Sequence, residues 1–302
     1  MERGAIPLSS IPGAVDLQAT LESGQTFLWS RLSGETYATE RPSTDEWYWT
    51  TEGADVIQIR RQGERLAWRA TTDAAPILRR RLRLTDDLPS IVEAFPDEPV
   101  VQAARERFPG LRLVSEPVFP TLLSFILSAQ MRVARIHDLV GRLRREYGEP
   151  VDIGDRTVHT FPEPETLAGA TEAELRELGL GYRAPYITET ASMVAAEGID
   201  TARLRNLPYE EAREALTRFV GVGEKVADCV LLFALDFDEP VPLDTWIRTA
   251  IEEHFPAAAR DSYAETSRAI RERFGPRPGY TQTYVFHHLR TADADDFVVA
   301  DD

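Results

Sequence analysis

Residues 219–235 read FVGVGEKVADCVLLFAL. A helical pattern, YEEAREALTRF, runs into this stretch, and a second, KVADCVLLFAL, runs out of it. Between them Gly221-Val222-Gly223 makes a tight turn, glycine being the residue suited to positive φ and to close backbone approach. The amides of that turn, with those of the second helix's first residues, form an anion site fit for a phosphate. The reading is a helix–hairpin–helix, with Gly221 and Gly223 at the grip.

Lys225 sharpens it. Of the 34 basic side chains 33 are arginine, so this is the single lysine of the chain. A cation on the first turn of a helix faces the positive end of the dipole, which is mildly destabilising. The same field, with burial, favours the neutral amine that nucleophilic chemistry requires. Arginine cannot deprotonate usefully and cannot substitute in that role. A position that keeps lysine where every other basic position has arginine is a candidate nucleophile. Nineteen residues later Asp244 follows a proline-containing loop and opens the helix DTWIRTAIEEHF. An N-cap carboxylate, worth roughly 1 kcal/mol to its helix, is rigidly placed and stays ionised, so capping and chemistry are compatible there.

Working outward, 302 residues with 43% hydrophobic content suffice for two modest domains or one large one. No run approaches the roughly 18 apolar residues of a membrane helix. MERGAIPLSS has no basic segment leading into an apolar one, so no secretory signal is expected. A lone cysteine, Cys229, excludes an internal disulfide and an iron–sulfur cluster held by several thiolates. A cytoplasmic monomer without a membrane association is the expectation. Fifty acidic residues against 34 basic ones give a net charge of −16. An acidic, lysine-poor, arginine-retaining surface is what a cytosol at molar salt selects, and a halophilic archaeal origin is expected. At about 1 M salt the Debye length is roughly 3 Å, so net charge would not exclude a polyanionic partner.

The first 70 or so residues read as short strands separated by turn residues: FLWSRL, TYATE, EWYWTT, DVIQIRR and RLAWRA. From about Asp73 the periods become helical, and after Pro117 helices are expected nearly to the end, before an acidic tail, DADDFVVADD. The expected class is α+β: a small N-terminal antiparallel β-sheet domain with trailing helices over residues 1–115, then a helical body over 116–302.

Together GVGEKVADC and PLD resemble the helix–hairpin–helix, glycine/proline-rich-loop, aspartate (HhH-GPD) superfamily of DNA repair glycosylases, and the match to its 8-oxoguanine DNA glycosylase branch spans almost the whole chain. Five motifs occur in that branch's order. LESGQTFLW is similar to a signature whose glycine carbonyl reads the oxidised base, which implies Gly24. SFILSAQMRVARI resembles the helix whose residues enter the DNA, implying Gln130 and Arg135. GLGYRAPYI resembles the segment at the void left by the flipped base, implying Tyr182 and Arg183. GYTQTYVF has the spacing of the pocket helix, implying Gln282 for the base's hydrogen-bonding edge and Phe286 for stacking. The resemblance adds Cys229, Phe233 and Pro242 to the base-binding set and pairs Cys229 with Lys225 through opposite partial charges.

What the resemblance implies is a base-excision enzyme that flips 8-oxoguanine out of duplex DNA, attacks C1′ with Lys225 to give a Schiff base, and nicks the strand by β-elimination. Asp244 would stabilise positive charge at the sugar. No catalytic metal or cofactor is implied, beyond a structural monovalent cation at the hairpin. Two departures stand out. Gln130-Met131-Arg132 replaces an asparagine run that reads the opposite cytosine, so strict opposite-base discrimination does not carry over, although Arg135 and Arg183 are retained. Trp246 stands where the family has a phosphate-contacting histidine. The alternatives are a monofunctional alkylated-base glycosylase, which generally lacks the hairpin lysine, and a non-catalytic DNA-binding module, which leaves Lys225, Asp244, Gln282 and Phe286 without a role.

Overall fold

In the computed structural model, residues 1–37, 46–153 and 156–292 are described. An antiparallel five-stranded sheet is built from β1 (Glu2–Pro7), β2 (Ser30–Arg31), β3 (Tyr48–Glu52), β4 (Asp55–Gln62) and β5 (Arg65–Ala70), in the order β1-β5-β4-β3-β2. The turns joining β3 to β4 and β4 to β5 place Gly53 (φ 55°) and Gly63 (φ 58°) at the first of two central positions, the Gly-X pattern of short hairpin loops. One face carries Ile57, Ile59, Leu66, Trp68 and Ala70 into the core. The α+β class and the sheet-then-helices order are as expected.

Three expectations need correction. β1 was not among the expected strands: its sequence does not alternate, and it exists because Ile6 sits opposite Leu66 and Gly4 opposite Trp68, whose ring covers the space a Cβ would fill. FLWSRL contributes only Ser30–Arg31 to the sheet. Its aromatic residues are core anchors instead: Trp29 is buried and donates its indole N–H to Glu116 at 2.7 Å. After Pro117 the chain is not uniformly helical, because β6 (Pro150–Ile153) and β7 (Arg156–His159) form a separate two-stranded hairpin. Such short, exposed strands bury too little to leave an apolar period in the sequence. Most of TYATE and the whole acidic tail lie outside the described residues.

The helical body wraps the hairpin's second helix, Glu224–Ala234, which is buried along Val226–Ala234. It packs chiefly against Val118–Leu127, and against the hairpin's first helix, Tyr209–Leu216. A single continuous core of buried side chains runs from Ile6 to Val285 and joins the sheet to the helices. Polar groups pin that junction. Arg112, fully buried, donates to the carbonyls of Pro12, Ala14, Arg83 and Asp86, and buried Arg81 pairs with buried Glu116. A buried charge survives only with such partners, and these fix the N-terminal segment against the body.

Candidate active site

Of the two turn glycines only Gly221 has a backbone that favours glycine. Gly221 has φ 81°, and a Cβ there would lie 2.9 Å from the Tyr186 ring. Gly223 is extended, N-caps the second helix, and has open space where a Cβ would point. The turn is tightened by the Val222 amide bonding to the Phe219 carbonyl at 3.1 Å. Its outer surface is exposed at Gly221 and Gly223.

In the first turn of the helix, Lys225 is half-buried. Its Nζ donates to Ser128 Oγ at 3.0 Å and stands 5.3 Å from the centre of the Phe125 ring. Four residues on, Cys229 is buried and beside the ammonium; loss of water pushes its thiol up to about 12, against the pull of Lys225. The neutral thiol is therefore its resting form near pH 7. Asp244 caps the helix Thr245–His254, accepting the Ile247 amide at 2.9 Å. Burial raises its carboxyl above the ordinary aspartate value, while the Lys225 charge and the amides of Ile247 and Trp246 oppose the rise. Capping and facing the lysine are thus carried by one carboxylate. Pro242 is buried behind it and accepts the Asp244 amide at 2.9 Å. Phe233 lies deeper, buried, with its ring stacked on Phe125 at 5.7 Å.

The residues expected to face the base come from opposite ends of the chain. Gly24 has φ 97°, and a Cβ there would stand 3.1 Å from the Phe286 ring and 3.2 Å from Val133. Phe286 lies half-buried on the C-terminal helix Pro278–Ala292, with Gln282 buried one turn before it. The Gln282 amide donates to Thr283 Oγ1 at 2.7 Å, which in turn donates to the Gly279 carbonyl at 2.8 Å. Glu22 and Gln25, both buried, hold the Gly24 turn from either side. Glu22 accepts from Arg31 and Tyr48 at 2.6 Å each, and its carbonyl accepts from Arg290 at 2.6 Å. Gln25 bonds the Arg112 carbonyl at 2.8 Å and the Val114 amide at 3.0 Å.

The loop 128–132 joins these clusters: Ser128 meets Lys225, and Val133 just beyond meets Gly24. At its tip Gln130 is exposed with φ 53°, a strained setting for a residue with a Cβ. Arg183 is buried and donates to the Ala129 carbonyl, with its guanidinium 4.3 Å over the Tyr182 ring, while Tyr182 itself is 56% exposed. Arg135 is exposed but paired with Asp138 at 2.6 Å. Both arginines read as cytosine contacts are therefore engaged within the protein, and either would have to exchange partners to reach a base. Trp246 is half-buried, on the first turn behind Asp244. Ser128, Val133 and Phe125 were missed from sequence. They are ordinary residue types whose relevance comes only from contact with positions about a hundred residues away.

Known proteins resemble this chain in sequence and in fold. The model of the HhH-GPD superfamily of base excision DNA repair proteins matches residues 123–276, and that of the 8-oxoguanine DNA glycosylase N-terminal domain matches residues 8–122. A "Probable N-glycosylase/DNA lyase" of Methanothermobacter thermautotrophicus is 31% identical over 305 residues, 92% of this chain and 94% of its own. The N-glycosylase/DNA lyase OGG1 of Arabidopsis thaliana is 28% identical, covering 93% of this chain and 79% of that one. The structure of MBOgg1 in complex with a low affinity DNA ligand superposes with a TM-score of 0.84 at 27% identity over 96% of each chain. The chain belongs to the HhH-GPD superfamily of base excision DNA repair proteins, within its branch of 8-oxoguanine glycosylase type. No helix among the described residues is long and apolar enough to cross a membrane.

Proposed function

We propose that this chain excises 8-oxoguanine from duplex DNA and nicks the strand through a Schiff base on Lys225. The observation carrying the proposal is the meeting of a lone, half-buried lysine with Cys229, Ser128 and the Asp244 carboxylate, directly behind a hairpin whose glycines are exposed. Extrusion of the nucleotide costs a few kcal/mol, which the hairpin amides and the Gln130–Tyr182 rim would offset by holding backbone and filling the gap. The flipped base would lie against Phe286, with the Gly24 carbonyl and Gln282 amide along its edges.

In the chemical step Lys225 Nζ, as free amine, forms a bond to C1′ as the N-glycosidic bond breaks, and the base leaves with the bonding pair and takes up a proton. Asp244, desolvated and rigidly capped, stabilises positive charge developing at the sugar. Opening of the sugar ring leaves an iminium on Lys225. Loss of a C2′ proton then expels the 3′ phosphate, and water later releases the enzyme. Ser128 Oγ accepts from Lys225 Nζ and aims it.

Residues 219–223 carry no side-chain oxygen, so a monovalent cation at the hairpin would be held by backbone carbonyls, which suit such an ion. Of these Val220 O already accepts from Thr190 at 2.9 Å; no step passes through the ion. We read the protein as a cytoplasmic monomer adapted to molar salt, with relaxed choice of the base opposite the lesion.

The test is borohydride trapping on a duplex carrying 8-oxoguanine, run at low and molar potassium chloride and with each opposite base. A covalent adduct that disappears in Lys225→Gln is expected; an adduct that survives the substitution, or none with wild type, overturns the mechanism.

A further inference from the structure

The hairpin helix carries a second ionisable side chain that the chemistry above does not use. Asp228, one position before Cys229 and three after Lys225, is fully buried. Its two oxygens each accept a tyrosine hydroxyl at 2.7 Å: Oδ1 from Tyr209 on the hairpin's first helix, Oδ2 from Tyr263 on the helix Tyr263–Arg273. With its proton committed to Asp228, the Tyr263 oxygen is oriented to accept, and it takes the Leu243 amide at 3.2 Å. Leu243 immediately precedes Asp244. Its carbonyl is held as well, by Arg248 Nε at 3.2 Å, and the Arg248 guanidinium lies 5.8 Å over the Tyr263 ring. The amide of the residue before Asp244 is thus held by a chain that ends on Asp228, and its carbonyl by Arg248.

We infer that Asp228 is a positioning residue that, through Tyr263 and the Leu243 amide, holds the Asp244 carboxylate at its working distance from Lys225. The inference rests on the excision chemistry proposed above. A carboxylate that accepts two hydroxyls sets the direction of both donors, which neither an amide nor an apolar residue would do. Arg213 reaches only 3.9 Å from Oδ2 and gives its nearer bond, 3.3 Å, to Tyr209. The two tyrosines differ in one respect. Tyr263 continues the chain to the catalytic loop, whereas Tyr209 leads to Arg213 and to Ser267, away from it.

That asymmetry supplies the test. Single-turnover excision of 8-oxoguanine is measured for wild type, Tyr263→Phe, Tyr209→Phe and Asp228→Asn. Affinity for a duplex bearing an uncleavable abasic-site analogue and the thermal midpoint are measured alongside. Misplacing a reacting group by a fraction of an ångström to an ångström costs about tenfold to a hundredfold. Tyr263→Phe and Asp228→Asn are expected to slow excision by that amount with duplex affinity retained. Tyr209→Phe removes a hydrogen bond from the same carboxylate and is expected to stay close to wild type in rate. Equal slowing by the two tyrosine variants, or a full rate in Tyr263→Phe, overturns the inference while wild-type excision continues. If Asp228→Asn does not fold, the tyrosine pair decides. A wild type that fails to excise 8-oxoguanine overturns the underlying reading and the inference with it.

Discussion

The cluster proposed to hold the nucleophile and the wall proposed to face the base are built in opposite ways. Lys225, Cys229 and Asp244 lie within twenty residues of one another on one helix and the loop after it, and their spacing is set by helical geometry and an N-cap. Gly24 comes from one end of the chain and Gln282 and Phe286 from the other, and Gly24 meets the Phe286 ring because the N-terminal segment is locked onto the body by Glu22, Gln25 and Arg112. The first is a local device that one substitution can silence. The second is distributed, and its failures should be graded and coupled to how well the two halves dock.

The largest effect expected is at the nucleophile. Lys225→Gln, and equally Lys225→Arg, should abolish strand nicking and the trapped adduct in a gel assay, because neither side chain can form the iminium. Asp244→Asn comes next. Asparagine caps as well as aspartate, so the melting temperature should barely move, while single-turnover excision falls by about 10² to 10³, the usual weight of one electrostatic stabiliser. Retained rate with lost stability would reduce Asp244 to a cap. On the distributed side, Gly24→Ala should be milder. The left-handed backbone costs about 1–2 kcal/mol for a residue with a Cβ, and the added methyl presses on Phe286 and Val133. The expected result is weaker discrimination between 8-oxoguanine and guanine in competition kinetics, with the borohydride adduct still formed. If Gly24→Ala abolished trapping, the two clusters would not be separable.

The smallest effect is a matter of pH. Burial pushes the Asp228 carboxyl up to about 7, against the hydroxyls of Tyr209 and Tyr263 and the charges of Arg213 and Arg271. An unfolded aspartate releases its proton near 3.9. Between about pH 4 and pH 7 the native state therefore holds more protons than the unfolded one, and this group's contribution to stability falls as pH rises. Asp228→Asn should flatten that part of the unfolding curve, seen as a smaller change in thermal midpoint between pH 5 and pH 8 at constant salt, the window as a whole amounting to a shift of roughly a few degrees.

The hairpin was legible because two periodic segments flanked a glycine turn, and because one lysine stood in a chain of arginines. The core strands β4 and β5 were legible as short β-branched and aromatic runs bounded by turn residues. β1 was not, since an edge strand without alternation declares itself only when Ile6 and Gly4 find Leu66 and Trp68. Phe27 to Trp29 misled in the other direction: aromatic content reads as strand, yet these residues are buried by tertiary packing and by the bond from Trp29 to Glu116.

By itself the sequence determined the class, the hairpin, the candidate nucleophile and the aspartate, because each depends on residue type and on separations that helix geometry converts directly into distance. Only the tertiary structure decided what surrounds them. Ser128 against Lys225, Val133 and Phe286 against Gly24, Arg183 turned onto Ala129, and Asp228 wired through Tyr263 to the catalytic loop all join residues from different elements. Long-range contacts of this kind leave no local period or motif. They follow from how the elements pack, and packing is a property of the whole chain.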